Sequence, residues 1–159
     1  MSPISVTVTL NVTADQTTVF EHIVPIDLAS IFTGYGPLPA VTGTQDQTGA
    51  WDAAGQTRTV YLSDGSSARE CLTGYDHPHY FSYTVSGFTG ALRFLARSAD
   101  GEWWFTTDAM GHTTIRWRYA FNPRSIFGVP ILVLITKGLW RSYMAKALRL
   151  SIEQIQNLK

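Results

Sequence analysis

Between Ile4 and Val12 the chain alternates cleanly. Ile4, Val6, Val8, Leu10 and Val12 take one side, and Ser5, Thr7, Thr9 and Asn11 take the other. A period of two predicts a half-buried strand. Thr13 or Asp15 then offers a helix N-cap, and Val19, Phe20 and Ile23 supply a short apolar face that ends before Pro25. Asp27 can cap a second short helix, LASIF, which stops at Gly34. The next stretch, GYGPLPAV, holds two glycines and two prolines, so a turn or loop of fixed shape is expected. Strand-like runs follow around 41–47, 57–62, 68–75, 80–87, 102–109 and 113–121, separated by GAWDAAG, SDG, DHPH, SADG and AMGH. Short runs joined by short turns predict an antiparallel meander. FTGALRFLA reads equally as strand or loop.

After NPRS the period changes. Pro130 suits the first position of a helix, and residues 131–158 contain no further proline. That length predicts a rod of roughly 42 Å at 1.5 Å per residue. Trp140, Met144, Ala147, Leu148, Ser151, Ile155 and Leu158 trace one face at helical spacing. The element order is strand, two short helices, about six antiparallel strands and a long C-terminal helix. A strongly bent sheet around one helix leaves a hollow that side chains alone do not fill, and hollows take ligands.

One hairpin carries the chemistry. In RTVYLSDGSSARE, a three-residue SDG loop with Gly65 left-handed sets Leu62 opposite Ser66 and Arg58 opposite Glu70. Val60, Leu62, Ala68, Leu72 and Gly74 then share their face, and Thr59, Tyr61, Ser67, Arg69, Cys71 and Thr73 form the wetter one. A two-residue Asp64-Gly65 turn would set Arg58 opposite Cys71 and mix the faces, so the three-residue loop is preferred. In a dry core, desolvation would offset the attraction of such a pair. In a partly wet cavity the pair becomes a polar anchor. The alternative is an ion pair on the outer surface, worth well under ~1 kcal/mol.

The candidate ligand-binding set is Arg58, Val60, Leu62, Glu70, Leu72, Phe81, Tyr83, Trp104, Trp117, Tyr119, Trp140 and Met144. Ile115, Trp117, Tyr119 and Phe121 should face inward and Arg116 and Arg118 outward. One of Trp103, Trp104 and Phe105 at least must point out of the core. The apolar run VPILVLI, residues 129–135, is apolar all round and so should be buried or touch something apolar, as in a homodimer contact, unless the short helices cover it.

Composition narrows the field. Acidic and basic residues balance at twelve each, which gives nucleic acid nothing to grip. The four histidines are scattered, Pro78 separates two of them, and no metal site or cofactor is expected. No G-x-S-x-G and no phosphate-binding glycine loop is present. A single cysteine, Cys71, fits a reducing compartment, and the N-terminus lacks the basic start and apolar stretch of a signal peptide. The run 129–135 is far shorter than the ~20 residues of a membrane-spanning helix. A cytoplasmic, single-domain protein over 1–159 is expected. Five Trp, seven Tyr and eight Phe suit a core or a cavity wall.

The stretches DLASIFTGYGPLPAV, GQTRTVYLSDGSSARECLTGYD, YFSYTVSGF, EWWFTT, TTIRWRYAFNP and LWRSYMAKALRLSIEQI, with this element order, resemble the START-like (SRPBCC) superfamily. Within it they are similar to the bacterial polyketide cyclase/dehydrase-like group. The resemblance covers nearly the whole chain and implies an α+β helix-grip fold: a bent antiparallel sheet of about seven strands, two short helices after the first strand, and one long C-terminal helix. It implies that 129–135 lies near the pocket mouth beside GYGPLPAV, as a portal lining. It carries no short catalytic signature. The expected function is binding of a hydrophobic or amphipathic small molecule, such as a lipid, isoprenoid or polyketide-like ring. One alternative is an aromatase/cyclase with Glu70 as base and Arg58 steadying an enolate, against which Arg58 should lower the Glu70 pKa. Another is a protein-interaction module using the apolar start of the last helix.

Overall fold

The computed structural model describes residues 1–158. The alternating N-terminal run forms strand β1 (Ile4–Val12), with Val6, Val8 and Val12 buried. Helix α1 (Gln16–Ile23) is capped by Asp15, whose carboxylate accepts from the Thr18 N–H, and it buries Val19, Phe20 and Ile23. Helix α2 (Leu28–Ile31) is capped by Asp27, which accepts from the Ala29 N–H. Both caps satisfy N–H groups that a helix start leaves open.

Six strands follow: β2 (Val41–Gln45), β3 (Thr57–Leu62), β4 (Ser67–Asp76), β5 (Tyr80–Ser86), β6 (Ala96–Thr107) and β7 (Thr113–Pro123). The sheet order is β1-β7-β6-β5-β4-β3-β2, antiparallel throughout. The first strand therefore pairs with the last, and α1 and α2 carry the chain from one sheet edge to the other. The ambiguous FTGALRFLA divides into a 3₁₀ turn, Ala91–Phe94, and the start of β6. That strand begins six residues before the expected 102 and ends at Thr107 rather than 109. Its early inward residues are Ala96 and Ala99, fully buried but too small to mark a strand by pattern. A register shift between Ala96 and Ser98 blurs the alternation further.

The C-terminal rod is interrupted. After a 3₁₀ turn at Ile126–Gly128 come α3 (Val129–Leu134), a wider π turn over Ile135–Trp140, and α4 (Arg141–Gln156). Pro130 sits in the first turn of α3 as expected. Helix α4 buries Tyr143, Met144, Ala147, Leu148, Ser151, Ile152 and Ile155. The expected stripe thus gains Tyr143 and Ile152, because α4 is packed by α1 and α2 as well as by β1. It loses Leu158, which lies beyond the end of the helix and is 52% exposed. Together Ile126–Gln156 make one helical run of 31 residues, long and apolar enough by length and composition to cross a membrane. This run is much longer than the apolar stretch 129–135 alone. Within 129–135, Leu132 is buried, but Ile131 and Leu134 are exposed, so α1 and α2 do not cover this surface.

Candidate functional site

The hairpin β3–β4 places the two charges. Gly65 has φ 85°, the Gly65 N–H donates to Leu62 O at 3.1 Å, and the Leu62 N–H donates to Ser66 O at 2.9 Å. This is the three-residue loop, and it registers Val60 with Ala68 and Arg58 with Glu70. Arg58 is 5% and Glu70 7% exposed, so the outer-surface alternative fails. Arg58 Nη2 donates to Glu70 Oε1 at 2.7 Å and Nε donates to the same oxygen at 3.2 Å. Both bonds end on Oε1, leaving Nη1 and Oε2 outside the pair.

The face of the guanidinium is covered by Trp51, whose ring centroid lies 4.1 Å from Cζ. Trp51 is fully buried at φ 60°, in the loop between β2 and β3. A bulky residue in the left-handed region is strained and persists only where its surroundings over-determine it. Here the Asp52 N–H donates to Gln56 Oε1 at 2.8 Å and Gln56 Nε2 donates back to Asp52 Oδ1 at 3.0 Å, locking the loop while the indole stacks on the cation. Sequence reasoning missed Trp51 by treating GAWDAAG as punctuation; a tryptophan amid turn residues was the available signal.

The pair looks into a cavity of about 370 Å³ between sheet, α2 and the C-terminal run. Val60 and Leu62 line it from β3, Phe81 and Tyr83 from β5, and Trp117 and Tyr119 from β7, with Trp140 closing it from the π turn. Three of the expected residues do not reach it. Leu72 and Met144 are fully buried in the packed core. Trp104 lies on the outer face, where the Arg116 guanidinium sits 4.3 Å above its ring. Its neighbour Trp103 is the wall residue, because β5–β6 register pairs Phe81 with Trp103 and the rings stack at 5.6 Å. Phe32 and Tyr143, not foreseen as site residues, also line the cavity. Phe32 stacks on Trp140 with ring centroids 6.2 Å apart.

Two phenols stand beside the charged pair in the wall. Tyr83 Oη accepts from Trp117 Nε1 at 3.1 Å and, more weakly, from Trp103 Nε1 at 3.5 Å. With its lone pairs so used, the Tyr83 O–H is left to donate. Burial pushes the Tyr83 phenol up, and the charge of Glu70 adds to the effect. Burial also raises Tyr119 well above the ordinary phenol range, with Tyr83, Glu70 and Asp100 contributing. Both phenols are therefore neutral donors near neutral pH. Among the described residues the buried Trp140 Nε1 has no hydrogen-bond partner. For Glu70, burial raises the pKa more strongly than Arg58 lowers it, so the expected net lowering is reversed.

A loop pins the rim. Tyr143 Oη donates to Pro39 O at 2.8 Å and accepts from the Gly34 N–H at 2.9 Å. Lys146 Nζ donates to Gly34 O at 2.9 Å. The fixed shape expected of GYGPLPAV is thus imposed from α4, with Gly34 at φ 97° and Gly36 at φ 52°.

A family model described as polyketide cyclase / dehydrase and lipid transport matches residues 3–158. Several solved structures share the fold at low identity. Ara h 8.0201 is 15% identical with TM-score 0.60, covering 93% of this chain and 99% of that one. The protein XoxI from Bacillus cereus is 14% identical with TM-score 0.63, covering 97% and 96%. Major latex-like protein 151 from Panax ginseng is 12% identical with TM-score 0.65, covering 94% and 95%. No curated protein shows significant sequence similarity to the chain. The architecture is α+β and helix-grip, with a seven-stranded antiparallel sheet and a long C-terminal helix.

Proposed function

The chain belongs to the polyketide cyclase / dehydrase and lipid transport family, and on that footing we propose that it binds an amphipathic small molecule whose polar end meets Arg58. The carrying observation is the buried Arg58–Glu70 pair facing an aromatic cavity with both hydrogen bonds spent on one oxygen. Arg58 Nη1 is free to meet a carboxylate, carbonyl or hydroxyl, and Glu70 holds the guanidinium in place. The Tyr83 and Tyr119 hydroxyls add donors, so the wall favours a ligand head rich in acceptors. The ligand's apolar body gains roughly 25 cal/mol per Å² from the aromatic and aliphatic walls. Carrier, sensor and storage roles all use this chemistry.

A second reading draws on the same groups. The upward shift of Glu70 favours it as a base toward a poly-β-ketone, in polyketide cyclase-like chemistry, with Arg58 facing the developing enolate. It ranks second because it asks Glu70 Oε2 to take up and release a proton beside the Arg58 cation, whereas binding asks only for the donor at Arg58 Nη1.

Calorimetric titration with dodecanoic acid and dodecanol tests the first reading. The expected result is saturable binding, with Arg58→Met weakening the acid by about tenfold or more, the scale of a lost charge-assisted hydrogen bond. The alcohol should lose less. Acid affinity unchanged in Arg58→Met, or no binding of either probe by the native protein, would refute it.

A further inference from the structure

Five large apolar side chains stand in solvent on two neighbouring segments: Phe94 at 66% exposure, Ile126 at 68%, Phe127 at 89%, Ile131 at 53% and Leu134 at 75%. The segments are stitched together. The Arg124 N–H donates to Leu95 O at 2.9 Å, and Arg124 Nε donates to Arg93 O at 2.7 Å. Gly128 lies against the Leu95 side chain. The turn Ala91–Phe94 and the start of α3 therefore present one apolar surface rather than scattered exposed residues, and such a surface marks an interaction site.

Charge is segregated around it. Between Asp76 and Asp100 the only Asp, Glu, Lys or Arg residues are Arg93 and Arg97. From Tyr119 to Ile152 there is no acid, and Arg124 on the stitch between the two segments adds a third arginine to the patch. Among the described residues none of these cations is in an ion pair. Asp64 also stands at the cavity rim near Gly90; it caps Ser66 and stays anionic, but Arg93, Arg97 and Arg124 outnumber it there. In a chain with twelve charges of each sign, this face is basic and apolar together.

We propose that this face docks on an anionic phospholipid bilayer, with Phe94, Phe127, Ile131 and Leu134 entering the acyl boundary and the surrounding arginines meeting phosphates. A bilayer interface supplies both complements at once, negative headgroups over an apolar interior. A second copy fits poorly, because a two-fold contact would set Arg93, Arg97 and Arg124 against the same cations. Leu92, Leu95 and Ile135, from these same segments, line the cavity, so its mouth opens beside the docked face. Docking stands on the surface alone; passage of a ligand between bilayer and cavity rests on the function proposed above.

Co-sedimentation of the full chain with phosphatidylcholine vesicles, with and without phosphatidylglycerol, tests this. Binding is expected only to the anionic vesicles and should weaken as salt shortens the screening length. Phe127→Asp, at the most exposed position, should fold normally by circular dichroism and lose vesicle affinity by about tenfold or more. Its affinity for dodecanoic acid in solution should not change. Absence of binding, equal binding to neutral vesicles, or retention of binding in Phe127→Asp would overturn the proposal. So would sedimentation showing a dimer that Phe127→Asp dissociates, which assigns the face to a second copy. Anionic-vesicle binding without dodecanoic acid binding would leave the docking standing and remove the ligand reading alone.

Discussion

Arg58 and Glu70 meet through a single carboxylate oxygen, and the balance between attraction and desolvation decides what the second oxygen can do. Burial wins, so Glu70 holds its proton to higher pH when folded than its ordinary value of 4.5. A carboxyl with a raised folded pKa binds more protons folded than unfolded, so its contribution to stability falls as pH rises from about 4.5 through the folded pKa. Glu70→Gln lacks this titration. Urea unfolding across that range should show native stability falling relative to the variant as pH rises; a native protein that gains on the variant would reverse the sign assigned here. Under the cyclase-like reading the same variant also loses turnover of a poly-β-ketone while keeping its affinity. At this scale the sequence made the pair readable, because parity and the SDG loop fix which residues oppose. It misassigned Trp104, since WWF offers no internal clue to which tryptophan faces in; only pairing of Trp103 with Phe81 settles it. Trp51 was hidden because its placement depends on a loop conformation that no periodicity encodes.

At the scale of elements, the first helix cap was narrowed to Thr13 or Asp15, of which Asp15 is the one used, and the alternating strands and the Asp27 cap were legible because each has a local cause. The π turn at Ile135–Trp140 was not, since a wider helical ladder has no residue signature of its own, although such turns gather at functional sites. Here it sets Trp140 over Phe32 and Tyr119. The link between α4 and the rim loop was equally hidden, because it joins Tyr143 to residues more than a hundred positions earlier. Tyr143→Phe removes one hydroxyl and strands the Gly34 N–H and the Pro39 carbonyl. The expected cost is about 1–3 kcal/mol, read by urea unfolding, with faster release of bound dodecanoic acid in stopped flow. Unchanged stability and release would mean that Tyr143 does not hold the rim.

Across the whole molecule, the pairing of β1 with β7 joins the first strand to the last, and α4 packs against β1. Empty volume survives partly because of small residues. Gly101 lies in register between Tyr83 and Tyr119, and a Cβ there would collide with the Tyr83 ring. The sheet order was not derivable from periodicity, which says what a strand faces but not which strand it joins. The hollow itself was legible only as an inference from one sheet and one long helix. Side-chain NMR during titration with dodecanoic acid tests that hollow as a binding site most directly. The indole N–H signals of Trp51, Trp117 and Trp140 and the Arg58 Nε–H signal should shift together, while Trp104, on the far face of the sheet, stays still. Shifts confined to Trp104, or none at all, would contradict the account.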